Sequence, residues 1–148
     1  MDNKIFTSRE EEIEVYNLLK MWADDSNKTK DAFVKLLTFL TQKKNTVLSF
    51  KSRPGVTYSL RALNTADKKE RPLFVMVDII DDNPEERWLS VCFYADMITD
   101  PVGNGDIIPA GLLGEDGLCF DVFGYEESMI SYLEKRIDEA HACKVRLT

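Results

Sequence analysis

Leu48-Ser49-Phe50-Lys51-Ser52-Arg53-Pro54-Gly55-Val56-Thr57-Tyr58-Ser59-Leu60-Arg61 is the stretch on which the fold turns. Leu48 and Phe50 alternate with Ser49 and Lys51. Val56, Tyr58 and Leu60 alternate with Thr57, Ser59 and Arg61. Successive side chains of a strand point to opposite faces, so this alternation marks two half-buried strands. Pro54-Gly55 between them is a turn pair, and the whole predicts a β-hairpin.

Upstream, the period is that of a helix. Thr7 followed by Glu10 reads as a capping box, which predicts a helix starting near Thr7. Ile13, Val15, Leu18, Leu19 and Trp22 supply its apolar side, and the polar run 24–27 ends it. A second helix is expected from about Thr29 to Lys43, because Phe33, Leu36, Leu37 and Leu40 fall on one helical stripe. The change from helical period to strand period comes near Asn45.

Downstream, Leu73–Ile80 is a short, nearly continuous apolar run rich in Val and Ile, the pattern of a central strand. The acidic loop 81–86 joins it to a further strand over Trp88–Tyr94. Segment 95–117 carries Gly103, Gly105, Gly111, Gly114, Gly117, Pro101 and Pro109 and reads as irregular, with a helical turn near 95–98. A short strand Leu118–Val122 and a helix from about Tyr125 to His141 complete the chain. Helices and strands come in runs rather than in alternation, which predicts an α+β fold. The expected architecture is two N-terminal helices, an antiparallel sheet of four or five strands and a C-terminal helix. The helices lie mainly on one sheet face, and residues 1–148 form a single domain.

The chain holds three cysteines, one histidine and no Cys-x-x-Cys spacing. Residues 1–14 have no apolar core of the kind a secretory leader needs. Together these features predict a cytoplasmic protein with unbridged thiols at Cys92, Cys119 and Cys143, no structural zinc and no cofactor. A net charge of −7 and the lack of a long apolar run argue against nucleic acid and membrane as partners. The charge is unevenly spread. Residues 42–71 carry eight basic and two acidic groups, whereas residues 72–127 carry one basic and thirteen acidic groups. A basic patch on one molecule can meet an acidic patch on another, which points to a protein partner or to self-association.

Alternation sorts the strand residues into two faces. Leu48, Phe50, Val56, Tyr58, Leu60, Val75, Val77, Ile79, Leu89, Val91 and Phe93 form the core face. Lys51, Arg53, Arg61, Asp78, Cys92 and Tyr94 fall on the opposite, mixed face. They are the candidate ligand-binding residues, with arginine suited to a carboxylate or phosphate. The glycine-rich segment 95–117 is positioned in sequence to act as a lid over them. Asp78 interrupts an apolar strand, and Arg61 is its expected partner. The same face also reads as the ordinary solvent side of a half-covered sheet. No nucleophile–base pair or phosphate loop appears. The functional expectation is a noncatalytic interaction module: an adaptor, a chaperone-like protein or a regulatory subunit. The alternative is a domain that binds, or acts on, a small anionic or polar ligand on the mixed face.

Overall fold

The structure is a computed structural model, and it describes residues 5–23, 26–66 and 71–143. Two helices come first, α1 (Arg9–Met21) and α2 (Thr29–Thr41). Four strands follow: β1 (Thr46–Arg53), β2 (Thr57–Asn64), β3 (Leu73–Ile80) and β4 (Trp88–Tyr94). After one 3₁₀ turn at Ala95–Met97 come β5 (Asp106–Leu112), β6 (Glu115–Val122) and the helix α3 (Glu127–Ala142). The six strands form one antiparallel sheet in the order β1-β2-β3-β4-β6-β5.

This is the expected α+β class with one more strand than expected. The additional strand, β5, lies in the glycine-rich segment. It is an edge strand whose residues 106–111 are all exposed, so it shows no alternation in burial. Its ladder with β6 is also broken between Ile108 and Leu112, where Ala110 takes a positive φ of 53°. Pro109 and this irregularity blunt the edge against pairing with another chain.

All three helices pack on the core face. Leu36, Val77 and Val91 are each 0% exposed. Two residues assigned to the apolar side by periodicity lie outside the core: Val56 is 52% exposed in the β1–β2 turn, and Ile13 is 46% exposed on α1. The first helix is capped one residue later than expected. Ser8, not Thr7, is the N-cap; its Oγ accepts from Glu11 N at 3.1 Å and donates to Glu11 Oε2 at 3.2 Å.

Asp81 fixes the β1–β2 turn against the β3–β4 loop. It is buried, and its carboxylate accepts from Arg87 Nε at 2.7 Å and from Gly55 N at 2.8 Å. Gly55 has a φ of +83°, a conformation that a side chain would strain. On the other side of β1, Ile5 and Phe6 run alongside the strand. Leu48 N donates to Ile5 O, and Thr7 N donates to Leu48 O.

Candidate docking face on the open side of the sheet

The register sets the second face residue by residue. Lys51, Ser59, Asp78, Ser90 and Asp121 stand in one row across β1, β2, β3, β4 and β6. The adjacent row is Ser49, Arg61, Met76, Cys92, Cys119 and Asp106. A third contains Arg53, Thr57, Ile80 and Trp88.

Segment 95–117 does not cover these rows. Its loop is tied to α3, on the helical side. Tyr132 Oη donates to Asp100 Oδ1 at 2.5 Å, Val102 N donates to Tyr132 Oη, and Thr99 donates through N and Oγ1 to the Glu139 carboxylate. Asp100 closes the loop by accepting from Asn104 N and Gly105 N. Burial alone would raise the Asp100 carboxyl, but these bonds outweigh it and hold the group below its ordinary range. The rest of the segment enters the sheet as β5 and the start of β6, so the lid anticipated from sequence is replaced by a sheet edge.

The six candidate residues share a face but do not converge on one point. Lys51 and Arg53 are exposed on β1, while Arg61, Asp78 and Cys92 are half-buried on β2, β3 and β4. Lys51 and Asp78 are two strands apart, which is about 10 Å at the usual strand spacing. Tyr94 is only 4% exposed. Arg71 stacks on its ring at 4.3 Å and is itself held by Asp96 and Glu115. Arg71 lies in what reads as a polar linker, so its role in covering Tyr94 has no sequence signal.

The expected Arg61–Asp78 ion pair is not formed. Arg61 turns Nε to Ser59 Oγ at 3.3 Å and reaches Asp78 only through its field. Burial therefore dominates and raises the Asp78 carboxyl above its ordinary range. Ser59 and the charges of Arg61 and Arg53 offset this only in part. Asp78 Oδ1 is buried and has no hydrogen-bond partner.

The cysteine expectation is corrected as well. Cys92 and Cys119 are joined by a disulfide, and Cys143 lies outside it. The two are register partners on β4 and β6, with Cα atoms 4.1 Å apart. An odd cysteine count says nothing about whether two of the three oppose each other. That opposition depends on β6 returning between β4 and β5.

The two sides of this face carry opposite, unpaired charge. Among the described residues, Lys51, Arg53 and Arg61 on β1 and β2 make no ion pair, and neither do Asp106 and Asp121 on β5 and β6. Asp121 is raised above the ordinary carboxylate range by burial and then by the neighbouring Asp106 charge. Among the described residues, no group of three or more His, Cys, Asp or Glu side chains could hold a metal ion. No described helix is long and apolar enough to cross a membrane. No family model, curated protein or solved structure matches the chain.

Proposed function

We propose that this protein is a noncatalytic interaction module whose docking surface is the open sheet face, with a second copy of the chain as its partner. The observation that carries the reading is the separation of unpaired charge on that face. Cations lie on the β1–β2 side and carboxylates on the β6–β5 side. Consider two such faces related by a twofold axis parallel to the strands. The axis places β1 and β2 of one copy over β5 and β6 of the other, so Arg61 meets the side that carries Asp106 and Asp121. Complementary potentials of this kind set orientation and speed encounter.

The size is adequate. Six strands at usual spacing and length give a face of roughly 29 by 25 Å, or about 700 Å². A standard interface buries about 800 Å² per partner. Half-buried Ile80 and Trp88 supply apolar area at the end of the face next to the β3–β4 loop. A cytoplasmic setting belongs to the same proposal, and the Cys92–Cys119 bridge is its sternest test, because cytosolic thiols are normally kept reduced.

Sedimentation velocity at low and high salt, each at two protein concentrations, tests the reading. A dimer at low salt that dissociates as salt rises is expected, since exposed charges are screened over about 8–10 Å near physiological ionic strength. A strictly monomeric protein at low salt would overturn it.

A further inference from the structure

The Cys92–Cys119 disulfide sits mid-sheet on the open face with different surroundings on its two sides. Cys92 has the Ser90 hydroxyl 3.5 Å from its sulfur, Asp78 diagonal to it on β3 and Arg61 two strands away in the same row, whereas no carboxylate lies directly across from it in the ladder. Cys119 has Asp106 directly across on β5 and Asp121 two residues along its own strand. Both cysteines are half-buried. All three helices pack on the other face, and the loop that could have covered this one is bound to α3.

We propose that this disulfide is a thiol-exchange site that reacts with cationic thiols in preference to anionic ones. Exchange begins with a thiolate attacking one sulfur and expelling the other. Expelling Cys119 would place a new negative charge beside Asp106 and Asp121, which disfavour it. Expelling Cys92 places that charge beside the Ser90 hydroxyl, which can donate to it, on the side where Arg61 and Arg53 offset the one nearby carboxylate, Asp78. The incoming thiolate therefore attacks Cys119 Sγ. A bond forms between the two sulfurs, the Cys92–Cys119 bond breaks, and Cys92 leaves with the electron pair and takes a proton from water. A second thiolate then attacks the small thiol's sulfur in the mixed disulfide. Cys119 leaves as a thiolate and is protonated. One disulfide is reduced to two protein thiols while two small thiols are oxidised to their disulfide.

The attacking group must approach past Asp106 and Asp121. Each carboxylate attracts an ammonium and repels an anion by a modest amount at about 7 Å in water. For two carboxylates, partly screened, the contrast between a cationic and an anionic thiol is on the order of tenfold in rate at low salt. The site shares the proposed docking face, but the chemistry belongs to the single chain and does not rest on that reading. Its failure would leave the sedimentation result untouched.

The experiment has two stages. Oxidised protein is first unfolded without reductant and alkylated, and one modified thiol, that of Cys143, is expected. Folded, dilute protein at low salt is then treated with cysteamine or with 2-mercaptoethanesulfonate at equal thiolate concentration, and opening of the bridge is followed by alkylation and mass. Cysteamine should react on the order of tenfold faster. The contrast should shrink in about 0.5 M salt and in an Asp106→Asn, Asp121→Asn double variant, and should be smaller in the unfolded chain, where Asp106 no longer lies across from Cys119. Should the double variant fail to fold, the salt comparison in the parent protein decides. Three alkylated thiols at the first stage would overturn the proposal. So would a folded-state bridge that neither thiol opens, or equal rates at low salt.

Discussion

The backbone N–H of Phe50 on β1 donates to Glu11 Oε1 on α1 at 2.5 Å. One side chain thus serves two elements, since Glu11 also belongs to the N-cap arrangement with Ser8. It satisfies a backbone donor on the outer edge of β1, next to the segment in which Ile5 and Thr7 bond Leu48. An edge that would otherwise present open hydrogen-bonding groups is closed by the chain's own N-terminal part.

Glu11 should therefore contribute stability that depends on pH. Burial alone would raise its carboxyl, but hydrogen bonds from Phe50 N–H, Ser49, Thr7 and Ser8 outweigh it and hold the group below its ordinary range. A group lowered in the folded state stabilises above its unfolded pKa, and that contribution is lost as pH falls through the folded value. Glu11→Ala is expected to cost about 1–3 kcal/mol at neutral pH. The difference from the parent should narrow below about pH 4, near the ordinary glutamate value. Urea midpoints at neutral and acid pH check this, and a constant difference between parent and variant would contradict it.

The core makes a simpler prediction. Leu36 on α2 is fully buried within the single apolar cluster shared by the helices and the sheet. Leu36→Ala should destabilise by about 2–5 kcal/mol, the transfer cost plus that of the cavity left behind. Val91→Ala on the central strand β4 should also destabilise, but by less, because fewer carbons are removed. An unchanged urea midpoint for Leu36→Ala would show the stripe to be wrongly placed.

How far such residues were legible in sequence depended on how strongly burial enforced a period. The bounds of β3 and β4 follow directly from apolar runs bracketed by polar loops, because both strands lie inside the sheet. β5 was hidden because Ile107 and Ile108 are both exposed on an edge strand, so no period of two was imposed on it. The shared face of Lys51, Arg53, Arg61, Asp78 and Cys92 was legible from alternation within each strand. The disulfide was not, since pairing between Cys92 and Cys119 depends on strand order, a nonlocal property. Nor was the loss of Tyr94 from the accessible face, which comes from Arg71 folding over its ring.

Asp78 should behave in the opposite sense to Glu11. Its carboxyl is raised by burial, with Ser59, Arg61 and Arg53 offsetting that only in part. A group raised in the folded state stabilises most below its unfolded pKa, and that contribution is lost as pH rises through the folded value. Asp78→Asn removes the half-buried charge and should stabilise the protein at neutral pH by about 1–2 kcal/mol, within the range for an unsatisfied buried polar atom. The gain should fade below about pH 4, the ordinary aspartate range. Thermal melts of parent and variant across this interval provide the measurement. A variant less stable than the parent at pH 7 would show that Asp78 makes a favourable charged interaction after all.

The last prediction concerns which charges meet across the proposed dimer. A twofold axis parallel to the strands brings the Arg61 side of one copy to the Asp121 side of the other, and it does so twice. Arg61→Glu therefore creates two like-charge contacts in its own homodimer, and Asp121→Arg does the same with the opposite sign. Each single variant should dissociate at least tenfold more readily than the parent, because like charges opposed at an interface are strongly unfavourable. Mixing the two variants restores one pair of opposite charges in each heterodimer, with the roles exchanged. It leaves the second pair as the original arginine and aspartate. The mixture should therefore associate more tightly than either variant alone, with an affinity near that of the parent. An axis perpendicular to the strands would instead stack β1 over β1, so like charges would already be opposed in the parent; neither single variant would then weaken the dimer, and the mixture would associate more tightly than the parent. Sedimentation of each variant and of the equimolar mixture at low salt separates the two arrangements, and a mixture as weak as its components would exclude the parallel axis.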